Sequence, residues 1–178
     1  MTVSFQLIRT TKHPYWSFLC DCYATSFPID ERRPLTEMEA ILSDPCFLYN
    51  AIEEDGDPVG LLNSWNLDNF RYVEHFTISP EFRSTGIGRQ ALHYFLAQAS
   101  TPVILEVEPP IDETSNRRIR FYEKEGFTLC EKIYVQPPYS EEQQPVKLRL
   151  MEWGGRLLIT DFEEVKNILY QRVYKDIN

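Results

Sequence analysis

Seven segments of the chain have a pattern that predicts a β-strand: apolar and polar residues alternate, or several apolar residues follow one another in a short run. The first segment alternates along its whole length, which is typical of a half-buried strand. An Asp-Gly pair, a strong hairpin signal, separates the second and third segments, so these two strands are expected to be antiparallel. The predicted strands span residues 4–9, 46–52, 59–65, 71–78, 102–107, 127–135 and 146–153.

Stripes of apolar residues at helical spacing predict helices between and after these strands. Pro14 is suited to a first helical position, and Gly126 to the position that follows a helix end. Thr36 and Thr160 are each followed three residues later by Glu, which is the capping-box pattern of a helix start. The predicted helices begin near residues 14, 36, 88, 117 and 160.

Length and composition narrow the class of protein. A chain of 178 residues, 43% of them hydrophobic, is suited to one compact domain. Its first residues do not show the pattern of a secretion signal, and no run of eighteen apolar residues occurs, so we expect a cytoplasmic protein that does not contact a membrane. The net charge of −9 argues against nucleic-acid binding. The four cysteines are scattered and lack the spacing of a zinc site, so reduced thiols and no metal are expected.

A glycine-containing loop between a predicted strand and a predicted helix is suited to binding an anion. Gly86 and Gly88 lie here, and glycine lets a ligand approach the backbone closely. The first amides of a helix have no internal partners and lie at the positive end of its dipole. Arg83 and Arg89 add positive charge. A dinucleotide fingerprint is excluded because Ala91 stands where a third glycine is needed, and a P-loop is excluded because Gly-Lys-Ser/Thr is absent.

The Arg-x-x-Gly-x-Gly loop and its neighbours resemble the acyl-CoA pyrophosphate loop of the GNAT superfamily, the GCN5-related N-acetyltransferases. Residues 76–82 before the loop, and Asn116 with residues 121–127 after it, agree in order and spacing. The resemblance implies an α/β (α+β) GNAT fold, in which helices flank a mixed, mostly antiparallel seven-stranded sheet. We expect one domain, residues 1–178, with its core at about residues 4–153 and an extra C-terminal helix at about residues 160–175.

The resemblance also implies acetyl-CoA as the cosubstrate. One strand would pair with pantetheine, the loop would hold the pyrophosphate, and a later helix would contact the pantetheine arm. The cofactor-binding residues implied in this way are Phe76, Thr77, Ile78, Arg83, Ser84, Thr85, Gly86, Ile87, Gly88, Arg89, Asn116 and Phe121.

Three residues are candidates for acid–base catalysis. Tyr122 stands where members of the family often have a general acid, and a phenol is suited to return a proton to a leaving thiolate. A protonated amine needs a base, for which Glu74 and Glu106 are the two candidates. Glu74, a charged residue on an apolar strand face, is slightly preferred, whereas Glu106 matches the base of the family branch that acts on N-terminal amines. Strand alternation places His75 opposite Glu74, as a packed or hydrogen-bonded histidine.

The sequence therefore predicts an N-acetyltransferase that transfers the acetyl group of acetyl-CoA directly to a primary amine of a small molecule or peptide in a ternary complex. The acceptor pocket is expected to involve residues 29–35 and 63–67, with Tyr134 and Tyr139. The C-terminal helix is interpreted as a family-specific extension or as the contact of a homodimer. The alternative is a non-catalytic acyl-CoA sensor or interaction module, which would keep the loop without needing the acid and the base.

Overall fold

The computed structural model describes residues 2–175, which form an eight-stranded sheet with helices packed on both faces. The strands are β1 (Val3–Ile8), β2 (Phe47–Glu54), β3 (Asp57–Asn66), β4 (Arg71–Ile78), β5 (Val103–Val107), β6 (Thr128–Leu129), β7 (Tyr134–Gln136) and β8 (Val146–Trp153). The helices are α1 (Trp16–Ser26), α2 (Met38–Leu42), α3 (Ile87–Ala97), α4 (Glu113–Lys124), α5 (Leu157–Thr160) and α6 (Phe162–Leu169), followed by a π-helix, Tyr170–Tyr174. Short 3-10 helices span Ile29–Glu31, Leu35–Glu37 and Pro80–Phe82.

The sheet opens between its two parallel strands. Its order is β1-β2-β3-β4-β5-β8-β6, with β7 paired to the other end of β8, and every pair except β4 and β5 is antiparallel. Residues 71–73 of β4 pair with residues 103–105 of β5, and the pairing ends there. The rest of β4 therefore has a free edge that faces β5.

A β-bulge in β4 lies at the start of this free edge. His75 is opposite Asn63 and Val73 is opposite Ser64, so Glu74 has no partner residue on β3. A bulge adds one residue to a strand and shifts the alternation of its side chains. Glu74 and His75 consequently contact the same layer of the protein, since both lie against Tyr139. The predicted placement of His75 opposite Glu74 is therefore wrong.

Two hydrophobic clusters join the helices to the two faces of the sheet. On one face α1, α2 and α6 pack around buried side chains that include Tyr23, Trp65 and Leu169. On the other face α3 and α4 pack through residues that include Leu92 and Ile119. Because each helix buries its apolar stripe on the sheet, the opening between β4 and β5 is left between two fixed layers.

The predicted architecture, a mixed and mostly antiparallel sheet flanked by helices with an extra C-terminal helix, is confirmed. The sheet has eight strands rather than seven, because the predicted strand at residues 127–135 is interrupted and forms β6 and β7. Both of these short strands pair with β8.

The predicted capping boxes are wrong, and a different one is present. Thr36 lies inside a 3-10 turn that precedes α2, and Thr160 lies inside α5. The carboxylate of Glu152 accepts hydrogen bonds from the first two amides of α5. Helix α5 therefore begins earlier than the sequence pattern indicated. Asp112 and Ser115 form a reciprocal capping box, so α4 begins at residue 113 rather than 117.

Candidate active site

A cleft of about 540 Å³ occupies the opening between β4 and β5. Its walls come from these two strands, the end of α1, α4 and the loop before α3. It brings together the predicted site residues Glu74, Phe76, Thr77, Ile78, Arg83, Gly88, Glu106, Phe121 and Tyr122. The other predicted residues, Ser84, Thr85, Gly86, Ile87, Arg89 and Asn116, do not line it.

The loop beside the cleft leaves a run of backbone amides without partners. Ser84 and Gly86 have positive φ angles of 65° and 91°, and Gly86 is the N-cap of α3. Among the described residues, none accepts a hydrogen bond from the amides of residues 84–89, and the next amide, that of Gln90, donates to the carbonyl of Gly86. Consecutive free amides at the positive end of a helix are suited to phosphate oxygens.

Two arginines flank this run of amides. Arg83 donates from Nε to the carbonyl of Ile78 at 2.9 Å, which ties the loop to the end of β4. Arg89 forms an ion pair from Nε to Glu125 at 2.9 Å, and its side chain remains 64% exposed. Both arginines therefore bring a guanidinium group to the loop, and Glu125 pairs with the charge of Arg89.

Two other predicted cofactor residues make internal contacts. Asn116 donates from Nδ2 to the carbonyl of Asp112 at 2.6 Å, within the first turn of α4. Ile87 is buried in the cluster beneath α3. The side chain of Ile87 thus anchors the helix, and its backbone amide is the part available to a ligand.

Both carboxylate oxygens of Glu74 accept hydrogen bonds from other side chains. Its Oε1 accepts from Arg33 at 3.0 Å and from Tyr139 at 2.7 Å, and its Oε2 accepts from Trp65 at 2.9 Å. The Glu74 side chain is 1% exposed. Burial by itself would raise the pKa of Glu74, but the Arg33 charge and these donors outweigh it, and the pKa is lowered.

His75 is buried beside this network. Its Nε2 lies 2.7 Å from the carbonyl of Glu31, and because a carbonyl only accepts, Nε2 carries a proton. The ring packs edge-on against Tyr23 and Phe27. Burial lowers the pKa of His75 and so favours the neutral ring, which joins the loop after α1 to β4.

Glu106 lies across the cleft on β5, in a cluster of tyrosines. Its Oε1 accepts a hydrogen bond from Tyr174 at 2.9 Å, and Tyr72 and Tyr134 face the same carboxyl group. No described cation forms an ion pair with it. Burial therefore raises the pKa of Glu106 to about 7, although the tyrosine hydroxyls oppose the shift. A carboxyl group with that pKa can accept a proton near neutral pH.

Tyr122 projects from α4 into the same cleft. Its ring packs against Phe121 and Phe127. Among the described residues none forms a hydrogen bond with its hydroxyl. Burial raises the pKa of Tyr122 to about 12, and the nearby charge of Arg118 opposes that shift. The phenol is thus protonated and available as a donor.

Two residues that contact Glu74 and Glu106 could not be predicted from the local sequence. Arg33 lies in a polar loop 41 positions before its partner Glu74, and Tyr174 lies 68 positions after Glu106. Of the expected acceptor regions, residues 29–35 contribute Glu31 to the cleft, whereas residues 63–67 do not line it.

Two glutamines join the loop after α1 to the segment that follows β7. Gln136 donates to the carbonyl of Asp30 at 3.1 Å. Gln143 donates to the carbonyls of Ile29 and Arg32, while its own carbonyl accepts the amides of Tyr139 and Ser140. These bonds fix the wall of the cleft that contains Glu31 and Gln136.

Two features are absent from residues 2–175. In that part of the chain no helix is long and apolar enough to cross a membrane. The same residues contain no group of three or more His, Cys, Asp or Glu side chains placed to hold a metal ion.

A family model, a solved structure and a related protein sequence that are similar to this chain are all described as acetyltransferases. The sequence model of the acetyltransferase (GNAT) family matches residues 13–127. A solved structure from Bacteroides thetaiotaomicron, named as a GNAT-family acetyltransferase, is 36% identical and superimposes with a TM-score of 0.90 over 96% of this chain and 98% of that chain. The protein YjbC of Bacillus subtilis (strain 168), named as an acetyltransferase, is 26% identical over 155 residues, which cover 85% of this chain and 77% of YjbC.

More distant structures share the fold. A GNAT-family acetyltransferase from Elizabethkingia anophelis, solved with acetyl-CoA bound, has a TM-score of 0.59 at 14% identity, over 85% of this chain and 97% of that chain. At that identity the likeness concerns the fold alone.

Proposed function

The chain belongs to the acetyltransferase (GNAT) family, and we propose that it transfers the acetyl group of acetyl-CoA to a primary amine of a small molecule or peptide. One observation carries this proposal. The cleft that opens beside six free backbone amides also holds a carboxyl group, Glu106, whose pKa is about 7. Anion binding and proton acceptance are thus available in one place.

The residues present fit acetyl-CoA. The amides of residues 84–89 would hold the pyrophosphate, with Arg83 and Arg89 adding charge. The free edge of β4 at Phe76, Thr77 and Ile78 would pair with the amide groups of pantetheine. Acetyl-CoA supplies the acetyl group as an activated thioester, and the structure from Elizabethkingia anophelis was solved with this molecule bound.

Glu106 is the base in this proposal. It would remove one proton from the ammonium group of the acceptor, directly or through water, and so expose the nitrogen lone pair. Glu74 is less suited to that role, because both of its oxygens accept hydrogen bonds and its pKa is lowered. Its role in this proposal is to hold Arg33 and Tyr139 in place.

Tyr122 is the acid. The amine nitrogen forms a bond to the acetyl carbon, the carbon–sulfur bond breaks, and the leaving thiolate takes the Tyr122 proton. The nitrogen loses a second proton as it becomes an amide, and that proton restores Tyr122, so the net reaction releases one proton. No cysteine is among the described residues that line the cleft, which favours direct transfer over a covalent acyl-enzyme.

The acceptor end of the cleft favours a cationic amine. Glu31, Glu106 and Glu108 line the cleft together with the aromatic ring of Phe27, and Arg118 pairs with Glu108, which leaves the carboxyl groups of Glu31 and Glu106 for an acceptor. A protonated amine would be attracted by these carboxyl groups before it gives up its proton to Glu106.

The test is a panel of amines, amino acids and peptides with acetyl-CoA, followed by release of free thiol. We expect turnover with at least one amine, and a loss of 100-fold or more in kcat for Glu106→Gln, about the contribution of a general base. The matched control is Glu53→Gln, which alters a carboxylate on β2 that accepts from Tyr15. Thermal stabilisation by CoA without turnover on any acceptor would overturn the transfer proposal in favour of a non-catalytic CoA-binding module.

A further inference from the structure

The C-terminal π-helix, Tyr170–Tyr174, places a side chain on the proposed base. Tyr174 donates a hydrogen bond to Glu106 at 2.9 Å and lies 2.9 Å from the hydroxyl of Tyr72. The segment lies outside residues 13–127, the part that the family model matches. A π-helix is a rare conformation that often occurs at functional sites.

The hydrogen bonds around Glu106 have a defined direction. An ionised carboxylate has no proton to donate, so the hydroxyl proton of Tyr174 is used in the bond to Glu106. Tyr72 must then be the donor in the bond between the two tyrosines. The result is a chain from Tyr72 through Tyr174 to Glu106, in which each bond strengthens the next.

The same segment is anchored to the neighbouring carboxylate. The carbonyl of Val173 accepts a hydrogen bond from Arg33 at 3.1 Å, and the same Arg33 nitrogen binds Glu74. The ring of Tyr174 packs against that of Tyr139, with 5.0 Å between ring centres. The Tyr174 hydroxyl is therefore held in one position by contacts on both sides.

We propose that Tyr174 is a positioning residue for acetyl transfer, whose hydroxyl orients the Glu106 carboxylate and favours its ionised form. This inference rests on the proposed role of Glu106 as the base. Among described residues, the titratable groups that face Glu106 are Tyr72 and Glu74 from β4, Tyr134 from β7, Tyr139 from the segment after β7, and Tyr174 itself. Tyr174 donates to the carboxylate at 2.9 Å, and the hydroxyls of Tyr72 and Tyr134 face the same group.

The test is the pH dependence of kcat at saturating amine for Tyr174→Phe. Loss of the donor disfavours ionised Glu106, so we expect the acid limb of the profile to move up by about one pH unit. At pH 6.5 kcat should fall roughly five- to tenfold, with the high-pH plateau within about twofold of the natural enzyme. The matched control is Tyr15→Phe, which removes a tyrosine–glutamate hydrogen bond of the same length away from the cleft and should leave the profile unchanged.

The outcomes separate this inference from the proposed function. An unshifted acid limb in Tyr174→Phe, together with an inactive Glu106→Gln, would overturn the role of Tyr174 alone. Full turnover in Glu106→Gln would overturn the proposed base. If Tyr174→Phe does not fold, Tyr72→Phe decides the matter, because it removes the donor to Tyr174 and should move the limb in the same direction by less.

Discussion

Glu74 and Glu106 lie on neighbouring strands, and their surroundings favour opposite charge states. Glu74 has a buried arginine and two further donors, so ionisation is favoured and its pKa is lowered. Glu106 has hydroxyl donors and no described cation, so burial dominates and its pKa is raised to about 7. The difference comes from Arg33, because an opposite charge offsets the cost of burying a carboxylate and a phenol offsets much less of it.

The raised pKa of Glu106 predicts that the ionised carboxylate of this residue destabilises the fold at neutral pH. The pKa in the folded state, about 7, exceeds the ordinary value of 4.5, so stability from this group is present below pH 4.5 and is lost as the pH rises through 7. Glu106→Gln cannot ionise, and we expect it to gain up to about 3 kcal/mol in free energy of unfolding at pH 8. Urea unfolding at pH 4.5 and pH 8 measures this, and an equal gain at both values would contradict it.

Glu74→Gln should show the opposite sign. The lowered pKa of Glu74 means that its contribution to stability is present above the ordinary carboxyl pKa and is lost as the pH falls. Removing the charge leaves Arg33 buried and unpaired, which costs about 3–5 kcal/mol at pH 7. The same urea titrations measure both variants, and a Glu74→Gln protein as stable as the natural one would show that the ion pair contributes nothing.

Tyr122→Phe tests the proposed acid. The substitution removes a hydroxyl that has no hydrogen-bond partner among the described residues, so folding and CoA binding should be unaffected. We expect kcat to fall about 100-fold, because the leaving thiolate loses its proton donor. Tyr94→Phe, on the exposed side of α3, is the control and should keep full activity. A Tyr122→Phe enzyme with normal kcat would assign the proton to another donor.

At the residue scale, the geometry of the backbone was predictable where it depends on local spacing. The turn at Gly86 and Gly88 could be predicted from the sequence, because the apolar pattern of the helix that follows fixes where the turn must lie. The orientation of the His75 side chain could not be predicted, because one bulge at Glu74 reverses the alternation of side chains on which the prediction was based. The partner of Glu74 was also unpredictable, since Arg33 approaches it only through the tertiary fold.

At the scale of elements, the two glycines at the start of α3 have different roles: Gly86 is the N-cap, and Gly88 lies in the first turn of the helix. Gly86 has a φ of 91° with open space around its Cα, whereas a Cβ on Gly88 would touch Ile78 at an ordinary 3.4 Å. Gly86 is therefore needed for the turn itself, and its effect on the loop amides can be tested without a steric clash.

Gly86→Ala should weaken CoA binding through the backbone. An alanine at this φ costs about 1 kcal/mol and favours a different turn, which would redirect the loop amides. The matched control is Gly56→Ala in the β2–β3 turn, which also has open space and a φ of 93°. Both variants should lose similar stability, and only Gly86→Ala should raise the Kd for CoA, measured by calorimetry. Equal Kd values would remove the loop from the binding site.

Among the elements, the bounds of a strand were easier to predict from the sequence than the starts of the helices. Strand β4 has the bounds that its pattern indicated, and Ser79-Pro80 follows directly after its last residue. The start of α4 was missed by four residues, since Asp112 and Ser115 do not match the usual Ser/Thr-x-x-Glu form of the box. The start of α5 depends on Glu152, a residue of a strand, and no local pattern records that contact.

At the scale of the whole molecule, an acidic protein is proposed to bind a polyanion. The net charge is −9, so the attraction must come from local groups, the loop amides and the arginines at the cleft. CoA at about 100 times its Kd should stabilise the fold by about 2.7 kcal/mol, or roughly 5–10 °C in Tm. Pantetheine, which lacks the pyrophosphate, should stabilise it much less. Differential scanning fluorimetry measures both, and no shift with millimolar CoA would contradict the proposed cosubstrate.

The free edge of β4 has a consequence for the handling of the protein. Beyond residue 73, β4 exposes backbone groups inside a sheet, and unpaired strand edges are where chains add to one another and aggregate. A bound pantetheine arm would cover that edge. Protein kept free of CoA is therefore expected to self-associate faster on storage than protein kept with CoA. Bound CoA would in this way also protect the folded protein from aggregation.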